Sequence, residues 1–167
     1  MLTIRLNQTT TLTPEQYIAA LTDFGPGRAA IFTNSADGYL EVHSRDGSRA
    51  DVTEGSGGIW ERLHYDWSNT ERVVLKTVAS NIWGGASGHA YCFRRLPSGR
   101  TNIEVVVVRQ GKNLRGRFME VVLRTLGRGI FPKAFEASIL ALEKRDGLTS
   151  HDASGEPSNL KACKWCW

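Results

Sequence analysis

A change of period near residue 110 constrains this chain more than any other feature. Residues 38–110 read as a run of short strands broken by turn chemistry. Residues 112–145 read as one long helix, apolar over much more than half of its circumference. A curved antiparallel sheet with one long apolar helix laid across it tends to enclose a space. The question of function becomes the question of what fills it.

The chain has 167 residues, enough for one domain that buries a real core without disulfides or metal. A hydrophobic content of 41% and a charged content of 23% are ordinary for a globular protein, so neither a fibrous nor a disordered class is indicated. The net charge of +4 suits anionic ligands or surfaces and does not call for nucleic acid. Met1 to Asn7 lacks the apolar run of a signal peptide. The longest apolar run, 103–108, contains Glu104 and is far shorter than the ~20 residues of a membrane span. A cytosolic protein is the default expectation. Cys92, Cys163 and Cys166 make no disulfide framework.

Leu2, Ile4 and Leu6 alternate and lead into Thr9, Thr10 and Thr11, which predicts a first strand over 2–12. Thr13-Pro14-Glu15-Gln16 is a helix start: Thr13 caps, Pro14 has no N–H to lose, and Gln16 completes a capping box. Gly25-Pro26-Gly27 breaks that helix, and residues 28–32 resume as a second short one. Strands are expected near 38–46, 49–54, 59–68, 71–80, 86–96 and 101–110, separated by Asp46-Gly47, 55–58, Ser68-Asn69, Gly84-Gly85 and 97–99. Short links of this kind make antiparallel neighbours, hence a meander.

In the long helix, Leu114, Phe118, Val121, Val122 and Thr125 share one side, which Met119, Leu123, Leu126 and Ile130 widen. Arg117, Glu120, Arg124 and Arg128 form a narrow polar face. Gly127, Gly129 and Pro132 predict a kink, beyond which Phe131, Phe135, Ile139 and Leu142 continue the stripe. Asp146-Gly147 ends it. Residues 147–162 carry only two large aliphatics, so 147–167 reads as a loose tail after a domain of residues 1–146.

The order strand, two short helices, six strands and a long helix resembles the helix-grip arrangement of the START-like superfamily, also called SRPBCC. The chain looks most like its small bacterial polyketide cyclase/dehydrase members. The stretches that carry the resemblance are 50–55, Trp60-Glu61, 65–68, 80–83, 99–101 and 114–117. The resemblance implies an α+β fold with a curved antiparallel sheet of about seven strands wrapped around the long C-terminal helix. It also implies a hydrophobic small molecule, lipid or polyketide-like, held between sheet and helix. Some members catalyse cyclisation or dehydration there, but the superfamily has no common catalytic triad, and fold alone does not name a reaction.

Alternation sorts the strands into faces. Ile59, Glu61, Leu63, Tyr65 and Trp67 should face inward, as should Val73, Leu75, Thr77 and Ala79. Ser87, His89, Tyr91 and Phe93 follow, then Thr101, Ile103, Val105, Val107 and Arg109. The candidate ligand-binding set is Glu61, Tyr65, Trp67, His89, Tyr91 and Arg109, with Phe118 and Val122 from the helix. Apolar walls with a few placed polar groups make a small-molecule pocket. Glu61 or His89 can take a proton beside a ketone, and Tyr65 or Tyr91 can hydrogen-bond the resulting enolate. The blander readings are a Glu61–Arg109 pair that only closes a buried charge, a satisfied core His89, and aromatics that only pack.

Other signals carry less. Residues 55–58 lack the Lys-Ser/Thr of a phosphate loop and precede a strand, so they read as a hairpin turn. The four histidines show no metal-ligand spacing, and no motif calls for a cofactor or metal. Cys163-Lys164-Trp165-Cys166 is one Cys-x-x-Cys pair without a second, a weak metal or redox signal. Three classes stay open: a non-catalytic binder of a lipid or polyketide, a cyclase or dehydratase, and an interaction module whose interior is filled by its own side chains.

Overall fold

The computed structural model describes residues 1–33 and 35–147, without the side chains of Asp37 and Arg128. The expected tail, Gly147 apart, lies outside the described residues. Seven strands form one antiparallel sheet: β1 (Leu2–Thr10), β2 (Glu41–Asp46), β3 (Arg49–Ser56), β4 (Ile59–Asn69), β5 (Arg72–Ser80), β6 (Gly88–Arg95) and β7 (Thr101–Arg109). Their spatial order is β1-β7-β6-β5-β4-β3-β2. The chain meanders from β2 to β7, and β7 then takes β1 as its outer neighbour. Two short helices, α1 (Pro14–Leu21) and α2 (Arg28–Ile31), connect β1 to β2, and α3 (Leu114–Arg145) closes the described chain. This is the expected α+β helix-grip fold.

Local chemistry sets these elements as the sequence predicts. Thr13 caps α1 through a full capping box with Gln16. Gly57 and Gly58 both take positive φ, 59° and 78°, so the β3–β4 hairpin closes in a tight turn whose twist matches the strands. Two expectations shift. Residues 37–39 form a 3-10 turn, so the second strand begins only at Glu41. Ala79, expected inward, faces outward. The register slips between Arg62 and Leu63, whose partners are Ala79 and Thr77, so Val78 is an extra residue on β5. A bulge reverses the alternation beyond it, which puts Ala79 opposite outward Arg62 and turns Ser80 in beside Glu61.

The core lies between the inner face of the sheet, α1 and the second half of α3. Leu63, Tyr65, Val73, Ile103 and Val105 from the sheet meet Tyr17 and Leu21 of α1 and Phe135, Ile139 and Leu142 of α3. A smaller apolar cluster, Cys92, Val106 and Val108, is buried on the opposite face.

The long helix follows the β1 edge rather than the middle of the sheet, with β1 and α2 as its main neighbours. At its far end, Glu143 accepts from Thr10 Oγ1, Thr11 N and Thr11 Oγ1 at 2.6, 2.9 and 3.0 Å. Ser138 Oγ donates to the carbonyl of Ile31 in α2 at 2.8 Å. At its start, Asn113 accepts from the Gly116 N–H, and Glu120 pairs with the Met1 amino group at 2.7 Å. The helix runs on through Gly127, Gly129 and Pro132 as one element.

Candidate functional site

Four adjacent strands bring their polar inward residues to one end of the sheet. Glu61 comes from β4, Thr77 from β5, His89 from β6 and Arg109 from β7. Arg109 reaches across two strands to Glu61: Nη2 donates to Oε1 at 2.8 Å and Nη1 to Oε2 at 3.3 Å. Thr77 Oγ1 donates to Glu61 Oε2 at 3.0 Å. The ring of Trp83 lies 5.5 Å from the guanidinium carbon of Arg109, a cation–π distance. The pair is nearly but not wholly closed, with side chains 9% and 11% exposed.

His89 completes the group. Its Nε2 faces Arg109 Nη2 at 2.5 Å. A guanidinium can only donate, so Nε2 is the unprotonated acceptor and Nδ1 carries the proton. Burial pushes the His89 pKa well below its usual value, and the charge of Arg109 pushes it the same way. The imidazole is therefore neutral at pH 7.

A second buried cluster lies one strand away. Glu54 of β3 stands directly opposite Glu61 in the ladder. Two like charges so placed repel, and each carboxylate has its own arginine. Arg28 Nε donates to Glu54 Oε1 at 2.7 Å, and both side chains are 2% exposed. Tyr65 Oη donates to Glu54 Oε2 at 2.8 Å and accepts from Arg28 Nη2 at 3.2 Å. The remaining Arg28 donor reaches the carbonyls of Leu21 and Asp23, between the rings of Phe24 and Phe32. Removing one member of a pair this buried costs about 3–5 kcal/mol. The hydroxyl of Tyr65 is committed to this cluster, and burial first, then Glu54, raises its pKa well above the usual phenol value.

The candidates thus separate. Glu61, His89 and Arg109 converge. Tyr65 belongs to the Glu54–Arg28 cluster. Tyr91 stacks toward Tyr17 with ring centroids 6.0 Å apart, and burial raises its pKa to about 12. Trp67, farther along β4, has Arg45 5.8 Å from its ring. On α3, Val122 is half-buried, whereas Phe118 is 67% exposed. Alternation on β3, with Ala50 and Val52 buried, points equally to Glu54, which the candidate set omits. Arg28 and Trp83 lie outside the strands, where no period speaks for them.

The first half of α3 approaches this polar end without sealing it. Met119, Val122 and Leu123 are half-buried, and Ile130, two turns beyond Leu123 on the same side, is 59% exposed. A separate groove of about 670 Å³ lies on the outer face, lined by Arg5, Asn7, Cys92, Arg94, Asn102 and Glu104 among others.

No family profile matches the sequence, and no curated protein does. In three dimensions the chain is similar to the Zhui aromatase/cyclase of Streptomyces, with TM-score 0.64 and 14% identity over 87% of this chain and 95% of that one. A Thermus thermophilus protein gives TM-score 0.62 and 15% identity over 86% and 96%. A START superfamily protein of Mycobacterium smegmatis gives 0.59 and 10% over 84% and 98%. These likenesses show the fold, a START-like helix-grip fold. Among the described residues, no helix is long and apolar enough to cross a membrane.

Proposed function

We propose that this protein binds a hydrophobic small molecule, lipid or polyketide-like, between the inner face of the sheet and the first half of α3. Residues 1–146 carry the function, and 147–167 lie outside it. The observation that supports this reading is the buried Glu61–Arg109–His89 group on the inner face, with the apolar Met119, Val122 and Leu123 of α3 only half-buried. An apolar ligand with a polar end needs such a group to orient it. A cyclase or dehydratase reading is the weaker one. His89 Nε2 is engaged by Arg109, and Glu61 by both Arg109 and Thr77. The His89 Nε2 lone pair is taken, and the three bonds that Glu61 accepts make it a weak base toward a substrate proton.

The test is a titration with cis-parinaric acid, a fluorescent fatty acid, on the native chain and two variants. Saturable one-to-one binding is expected. Glu61→Gln keeps an acceptor for Arg109, so it should lose less than the ~3–5 kcal/mol of a broken buried pair, yet bind several-fold more weakly. Leu123→Arg should abolish binding while folding normally. Absence of binding to the native chain contradicts the proposal. So does a Glu61→Gln protein with a large stability loss and unchanged affinity, since the pair would then serve structure alone.

A further inference from the structure

The first half of α3 presents a second surface, away from its half-buried side. Leu114 is 84% exposed, Phe118 67% and Val121 60%. Three of the ten large hydrophobics exposed among the described residues share this one face within two turns, so the exposure is a patch rather than scatter. Its charge is one-sided. Across 112–124 the exposed ionisable side chains are Lys112, Arg115, Arg117 and Arg124; farther along, Lys133 and Glu136 offset each other. The one carboxylate of that stretch, Glu120, is turned to the Met1 amino group and the Gly111 N–H. At 100° per residue, Leu114, Phe118 and Val121 share a face, with Arg117 and Arg124 on one flank and Arg115 on the other.

We infer that this face docks on an anionic lipid surface, with α3 lying in the interfacial plane. An apolar strip flanked by cations, on a helix too polar to span a membrane, is the pattern of an interfacial helix. Charge complementarity selects this occupant over the others. A second copy seated here would bring two rows of arginines together with no exposed carboxylate in that stretch to meet them. The chain's own last residues, 148–167, set Asp152 and Glu156 against Lys161 and Lys164, so they bring no net negative charge to this face. The inference stands on this exposed face and does not depend on the ligand proposed above.

The experiment is co-sedimentation of the full chain with phosphatidylcholine vesicles, with and without phosphatidylglycerol, at low and high salt. Binding to the mixed vesicles alone is expected, weakening as salt rises. Phe118→Asp should abolish it, and Arg115→Glu with Arg117→Glu should reduce it by about tenfold or more. These side chains are exposed, so circular dichroism of each variant should be unchanged. No sedimentation, or equal sedimentation with neutral vesicles, overturns the inference. A native dimer that Phe118→Asp makes monomeric assigns the face to a second copy. Vesicle binding that appears only after truncation beyond Gly147 assigns it to the chain's own tail. Either outcome also overturns it.

Discussion

His89 can accept from Arg109 only while Nε2 carries no proton. That gives the site a pH dependence with a definite sign. In the unfolded chain His89 protonates below about pH 6.5. In the folded chain burial and Arg109 hold the pKa well below that. Between the two values the unfolded state binds more protons, so stability rises with pH there. The contribution is fully present above about pH 6.5 and is lost as pH falls toward the folded value. Urea midpoints at about pH 7.5 and about pH 5.5 should differ more for the native chain than for His89→Gln. Equal differences would mean that His89 is solvated and not held by Arg109. At this scale the sequence was partly legible. A strict period of two put Glu61, His89 and Arg109 on one face, and they meet there. It did not separate Tyr65 from them: the period also puts Glu54, which accepts from the Tyr65 hydroxyl, on the inward face, but it says nothing of Arg28, which holds that cluster together.

At the scale of elements, the start of α3 is fixed by the absence of a side chain. A Cβ on Gly116 would stand 2.2 Å from the carbonyl oxygen of Ile82 and 3.0 Å from the Cα of Gly111. Helix propensity alone favours alanine by about 1 kcal/mol. The clash involves backbone on both sides, so overpacking, about 1–3 kcal/mol, should win. Gly116→Ala is therefore expected to lower the urea midpoint and to weaken ligand binding, because the first turn must move off Ile82 beside Trp83. A stabilised variant would show that the helix start is not seated there. Hairpins and caps were readable because they rest on local chemistry, such as Gly57-Gly58 and the Thr13–Gln16 box. The bulge at Val78 was not. Nothing in Thr77-Val78-Ala79-Ser80 marks an extra residue, since a bulge answers to the pairing of two strands rather than to the composition of one. The exposed side of α3 was hidden for the same reason: an apolar stripe shows that a face avoids water, not which neighbour covers it.

At the scale of the whole molecule, the sheet separates two sides. The inner side has the buried Arg109, the imidazole that accepts from it, and the half-buried apolar side chains of α3. The outer groove has Arg5, Arg94, Asn102 and Cys92. The functional account needs the ligand on the first. Amide shift perturbation by oleate on isotope-labelled protein distinguishes them directly. The account predicts that saturating shifts fall on Glu61, His89, Arg109, Met119 and Leu123, while Asn7, Cys92 and Asn102 stay in place. Shifts confined to Asn7, Cys92, Arg94 and Asn102, with the inner set unmoved, would contradict it.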